Sequence, residues 1–136
     1  MACRGGSIYM QNYDFVHSCI RVMDLEKSIE FYTDALNLKE SRRKDFPEAE
    51  FTLVYLTDQN ESFELELTYN YDREEPYTIG NGYSHIAVKV DDLEKSYQRH
   101  KEAGYKVGDL KSLSENSSGY YFITDPDGYR TEVIAR

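Results

Sequence analysis

At 136 residues, with 40% apolar and 14% aromatic content, the chain has the size and composition of one globular domain with a buried core. Its 25 acidic against 16 basic residues leave a net charge of −9, which argues against nucleic acid or an anionic membrane as partner. No apolar run approaches the ~20 residues of a membrane span, no signal-like stretch follows Met1, and two Cys make no disulfide framework. A reducing cytoplasm is the expected home.

Residues 1–12 read as a disordered arm carrying an exposed Cys3, and residues 13–136 as one domain. The strongest organising signal is repetition. His17, Arg21, Val22 and the run Asp24-Leu25-Glu26-Lys27-Ser28 return, half a chain later, as His85, Lys89, Val90 and Asp92-Leu93-Glu94-Lys95-Ser96. The chain is therefore read as module one (residues 13–70), a linker (71–82) and module two (83–136).

Each module opens with a strand. Over residues 15–22, Val16, Ser18, Ile20 and Val22 share one face, and His17, Cys19 and Arg21 the other. In the second copy Ile86, Val88 and Val90 oppose His85, Ala87 and Lys89. A helix follows in each, N-capped by Asp24 or Asp92, with Gly104 as the stop of the second. His100 falls among charged neighbours on that helix and reads as a surface residue. Strands then close each unit: residues 51–57 and 63–70 in the first, 120–124 and 129–135 in the second. The turn Asp125-Pro126-Asp127-Gly128 specifies a hairpin, because Pro126 presets φ and Gly128 tolerates positive φ. The fold class is α+β, built as strand–helix–strands used twice.

The segment Phe63-Glu64-Leu65-Glu66-Leu67-Thr68-Tyr69-Asn70 alternates apolar and polar residues, so one face enters a core and the other lines up Glu64, Glu66, Thr68 and Asn70. Aligning the two copies on Tyr55–Asp58 and Phe122–Asp125 matches Glu66 with Glu132. Each module thus carries one His at its start and one Glu near its end: His17 with Glu66, His85 with Glu132. Two imidazoles and two carboxylates, with no thiolate, suit a divalent ion that keeps open water positions. Glu64 shares the face of Glu66 and is its rival. Cys19 has no counterpart in the second copy and reads as a pocket wall.

Four runs carry a family resemblance: His17 with Arg21-Val22, Glu66-Leu-Thr-Tyr-Asn70, Gly82-Tyr-Ser-His85-Ile-Ala-Val and Asp125-Pro-Asp-Gly-Tyr-Arg-Thr-Glu132. Together they resemble the vicinal-oxygen-chelate superfamily and, within it, glyoxalase I (lactoylglutathione lyase) in its short bacterial form. The resemblance implies tandem βαβββ modules with mostly antiparallel, half-barrel sheets. It also implies a homodimer whose metal sites are shared between chains. One divalent metal per site is implied, nickel or cobalt favoured and zinc the alternative, held by His17, Glu66, His85 and Glu132.

The implied reaction isomerises the hemithioacetal of methylglyoxal and glutathione to S-lactoylglutathione through an enediolate. Glu132 is the implied base and Glu66 its counterpart, and Arg21 and Asn70 would hold the glutamyl end of the thiol. The chain departs from longer members at Asn81 and Ser118-Gly119, where they carry basic residues. Lys111 is then a candidate for the glycine end, and another thiol an alternative cosubstrate. The alternatives of other classes are a thiol transferase, epimerase or dioxygenase on the same fold, and a metal-free drug-binding module.

Overall fold

Among the described residues, ten short elements build two copies of one topology. In the first, β1 (His17–Arg21) leads into α1 (Leu25–Leu36), then β2 (Lys39–Phe46), β3 (Phe51–Thr57) and β4 (Glu64–Asn70). In the second, β5 (His85–Val90) leads into α2 (Leu93–Glu102), then β6 (Lys106–Val107), β7 (Tyr120–Thr124) and β8 (Arg130–Ala135). The computed structural model describes residues 10–112 and 119–136. Cys3, most of the arm and Ser118 lie outside the described residues.

The two sheets have the same strand order, β1-β4-β3-β2 and β5-β8-β7-β6. The opening strand of each pairs in parallel with the last, and the other pairings are antiparallel. The βαβββ unit expected from the sequence is present twice.

Local chemistry sets the helix ends. The Asp24 carboxylate accepts from Lys27 N at 3.1 Å and that of Asp92 from Lys95 N at 3.0 Å, so both expected N-caps form. Asn37 ends α1 in the left-handed conformation (φ 55°), and Gly104 follows α2 at φ 87°. Buried Leu25, Phe31, Tyr32 and Ala35 of α1 join Ile20, Val54, Leu56, Leu65 and Leu67 in a core cluster that also takes in Leu93, Tyr121, Ile123 and Val133 of the second module.

Two strands of the first module start later than the alternation suggests, and β8 starts at Arg130 rather than Tyr129. Val16 is 61% exposed and Phe63 40%, and neither belongs to a strand. Both stand before the first ladder residue, with no sheet to cover them. Ser18 does face inward, and its Oγ is buried with no hydrogen-bond partner among the described residues.

The modules are bolted together at both ends of α1. At its start, Asp127 of the β7–β8 turn accepts from Met23 N at 2.9 Å and from the Ser28 hydroxyl at 3.3 Å. Asp125 accepts the buried Tyr32 hydroxyl at 2.6 Å. At its end, Arg99 donates to the carbonyls of Asp34 and Ala35, at 2.6 and 3.2 Å. An acid at the N-terminus and a guanidinium at the C-terminus complement the helix dipole.

His100 completes this latch and corrects the sequence reading. It is 2% exposed, with Nε2 2.7 Å from the Ala35 carbonyl and Nδ1 2.7 Å from the Tyr121 hydroxyl. A carbonyl only accepts, so Nε2 carries the proton and Nδ1 accepts from Tyr121. Burial pushes the His100 pKa down, partly opposed by the Ala35 carbonyl. The unfolded chain (pKa ~6.5) therefore binds this proton more readily than the folded one. Folded stability is expected to fall as pH drops below about 6.5, by at most ~1.4 kcal/mol per pH unit from this group. Urea midpoints taken from neutral to acidic pH check this, and His100→Gln is expected to flatten the slope.

Candidate metal and substrate site

The expected pairs come together within each sheet. In the parallel pairing of β1 and β4, His17 lies opposite Glu64, and its Nε2 reaches Glu66 Oε1 at 3.0 Å. In that of β5 and β8, His85 lies opposite Arg130, and its Nε2 reaches Glu132 Oε1 at 3.2 Å. The same relation recurs because the same topology recurs. The two pairs do not meet within one chain. Among the described residues, no three His, Cys, Asp or Glu side chains converge as a metal-holding group.

Each pair nevertheless fits one divalent ion as two of its ligands. Two donors about 2.1 Å from an ion and at right angles stand about 3 Å apart, the spacing seen in both pairs. Ser84 Oγ lies 2.6 Å from His85 Nδ1. With that nitrogen engaged, Nε2 is left to face the carboxylate, the kind of orientation a ligating histidine needs. Ser84 stands next to His85 in the sequence, yet nothing in the alternation marks it.

The surroundings of the two carboxylates differ. Glu66 is 9% exposed, and its second oxygen lies 3.4 Å from the Thr68 hydroxyl, itself 3.2 Å from Cys19 Sγ. The Glu132 side chain is 24% exposed and makes its polar contact with His85. Glu64, the rival of Glu66, is bonded to strand β2 instead. Glu64 takes a forked pair of bonds from Arg42, at 2.9 and 3.2 Å, and a third from Ser41 at 2.6 Å. Those donors, Arg42 first, pull its pKa below the usual carboxylate range.

Arg21 and Asn70 flank one small region. Arg21 lines a cavity of about 180 Å³ with Cys19, Tyr77, Tyr83 and Tyr129. Asn70 Nδ2 donates to the Tyr77 hydroxyl at 2.9 Å. Tyr77 comes from the linker and was not singled out in the sequence, where a lone Tyr among loop residues carries no signal. A second cavity, about 290 Å³, opens beyond Phe122 and is lined by Lys106, Lys111 and Arg130, with Asp109 the one acid among the described residues that line it. This places Lys111 beside two further cations. A larger cavity of about 660 Å³, lined by Val88, Val90 and Val133, meets the apolar side of β5 rather than the His85 side.

The family model described as glyoxalase/bleomycin resistance protein/dioxygenase superfamily matches residues 14–133. The chain belongs to this superfamily. Among its members, a lactoylglutathione lyase from Neisseria meningitidis is 42% identical over 124 residues, covering 89% of each chain. A solved glyoxalase I from Leishmania major, described as trypanothione-dependent, superposes with a TM-score of 0.78 at 36% identity, over 91% of this chain and 87% of that one. Glyoxalase I from Zea mays gives a TM-score of 0.82 at 35% identity, over 90% of this chain. The superfamily chain described here spans only 44% of the maize protein. No helix among the described residues is long and apolar enough to cross a membrane.

Proposed function

We propose that this chain is a lactoylglutathione lyase, isomerising the methylglyoxal–glutathione hemithioacetal to S-lactoylglutathione in the cytoplasm. The observation that carries the reading is the pair of two-donor sets, His17 with Glu66 and His85 with Glu132, each spaced about as two ligands of one ion would be. Neither set is a site alone. Two copies in a homodimer, His17 and Glu66 from one protomer meeting His85 and Glu132 of its partner, would make two complete ones. The edges available for such pairing support this: β1 and β5, which carry the histidines, are the outermost strands of their sheets.

Nickel or cobalt is the favoured ion and zinc the alternative, since imidazole and carboxylate donors accept all three. The ion supplies electrophilic stabilisation of the charge that develops on the substrate oxygens. Glu132 takes the proton from the carbon bearing sulfur and returns it to the neighbouring carbon, by way of an enediolate. Its partial exposure, and a single polar side-chain contact among the described residues, leave it freer to move a proton than the tethered Glu66. Arg21 and Asn70 hold one carboxylate end of the thiol. Lys106, Lys111 and Arg130 offer the other end a locally positive cavity in a chain of net charge −9.

Metal-free protein reconstituted separately with nickel, cobalt, zinc and manganese tests the proposal, thioester formation being followed by absorbance. Turnover is expected to return with at least one ion, from a dimer by light scattering. Absence of turnover with every ion, for glutathione and for other cellular thiols, overturns it.

A further inference from the structure

Behind each of the two histidines stands the same three-layer arrangement. The His17 ring meets Tyr55 edge to face, with centroids 5.8 Å apart at 76°, and the Arg42 guanidinium sits 3.7 Å from the centre of the Tyr55 ring. The His85 ring meets Phe122 in the same way, at 5.0 Å and 79°, and the Arg130 guanidinium lies 4.4 Å from the Phe122 centre. Duplication explains the aromatics: Tyr55 and Phe122 lie opposite Glu66 and Glu132 in their ladders. It does not explain the guanidinium groups.

Arg42 comes from β2, whereas Arg130 comes from β8, two residues before Glu132. The place of Arg130 in module one is held by Glu64, since His17 lies opposite Glu64 as His85 lies opposite Arg130. Two unrelated positions deliver the same group to the same aromatic face. Shared ancestry of the modules cannot produce that recurrence, so a common physical requirement is the better account.

The requirement is orientation. A cation over an aromatic face holds the ring against tilting. The ring, edge to face with the imidazole, fixes the plane in which Nε2 points. We infer that Arg42 and Arg130 are positioning residues, each setting the plane of its histidine through the intervening ring. Glu64 serves by fixing Arg42, which lies directly opposite Tyr55 on the neighbouring strand β2, while Arg130 lies diagonally from Phe122 on the neighbouring strand β8. Among the described residues Arg130 has no carboxylate partner, and it lines the cavity of Lys106 and Lys111. The consequence for metal affinity rests on the proposed metal-binding role of the His/Glu pairs; the consequence for ring orientation does not.

The test uses full-length protein with ring-labelled histidine, observed by NMR without metal, in Arg42→Met, Arg130→Met and Glu64→Ala variants. Arg42→Met is expected to move the His17 resonances and leave those of His85, and Arg130→Met to do the reverse. His100 serves as the unmoved reference in both. Glu64→Ala is expected to move His17, and adding it to Arg42→Met is expected to change nothing further. Divalent-ion affinity, from competition with a chelator, is expected to fall about tenfold in each arginine variant.

Unmoved His17 and His85 resonances in variants that melt like the parent overturn the inference, and so do additive effects of Glu64→Ala and Arg42→Met. A parent protein that takes up no divalent ion overturns the metal reading alone, because the resonances still report the rings.

Discussion

Glu132→Gln is expected to lower kcat for the glutathione hemithioacetal about 10³-fold while leaving the melting temperature nearly unchanged. A positioned proton-transfer group contributes about 10²–10⁴-fold, and the amide keeps the shape of the side chain while losing its basicity. Packing is little disturbed, since the Glu132 side chain is 24% exposed and touches His85 through one oxygen. Glu66→Gln is expected to act differently. Glu66 is 9% exposed and has contacts on both oxygens, so its loss should appear first as weaker metal retention. Steady-state kinetics on protein of measured metal content separates the two. A Glu132→Gln variant within tenfold of the parent, per bound ion, removes Glu132 from the role of base.

The largest stability effect is expected at a residue that touches no substrate. Asp125→Ala should cost about 3 kcal/mol or more, because three donors lose their acceptor in a buried place. These are the Tyr32 hydroxyl at 2.6 Å and the amides of Asp127 and Tyr129, each at 2.9 Å. A loss of that size lowers Tm by roughly 10 °C in a domain of this length. Burial, the largest influence on this carboxyl, raises its pKa, and the three donors act against that. Asp125→Asn keeps an oxygen for the two amides and is expected to cost far less. Thermal unfolding of both variants decides the matter; a cost under about 1 kcal/mol for Asp125→Ala would mean that water replaces the lost acceptor.

What the sequence made legible was what local chemistry and repetition control. Asp24 and Asp92 announce helix starts because their side chains meet amides three residues away. The turn at Asp125 follows from Pro126 and Gly128 alone. The pairing of His17 with Glu66 and of His85 with Glu132 was readable because the same types recur at matching places in both copies. Strand β2 was not readable. Lys39-Glu-Ser-Arg-Arg-Lys-Asp-Phe46 shows no alternation because all eight residues are exposed, so the ladder to β3 positions it rather than a buried face.

That hidden strand had a cost at the site. Ser41 and Arg42, which claim Glu64, both belong to it, so nothing in the sequence could separate Glu64 from Glu66 except the repeat. His100 was misread for a similar reason. Its neighbours along α2 are charged, but its partner is the end of a helix in the other module. The bolts at Asp125 and Asp127 were seen only as turn residues, since the amide and hydroxyls they receive from Met23, Ser28 and Tyr32 lie about a hundred residues away.

The exposure of β2 also bears on whether further strands can add to the sheet. A free sheet edge is a template on which another chain can add a strand, and a run of such additions makes a fibre. Here the outer edge of the first sheet carries Lys39, Glu40, Arg42, Arg43, Lys44 and Asp45, with its ladder broken by a register shift between Glu40 and Arg42. The matching edge of the second sheet is a strand of two residues. An incoming strand would meet fixed charges on one side and almost no backbone to pair with on the other. Growth by strand addition is thus disfavoured at both of these edges.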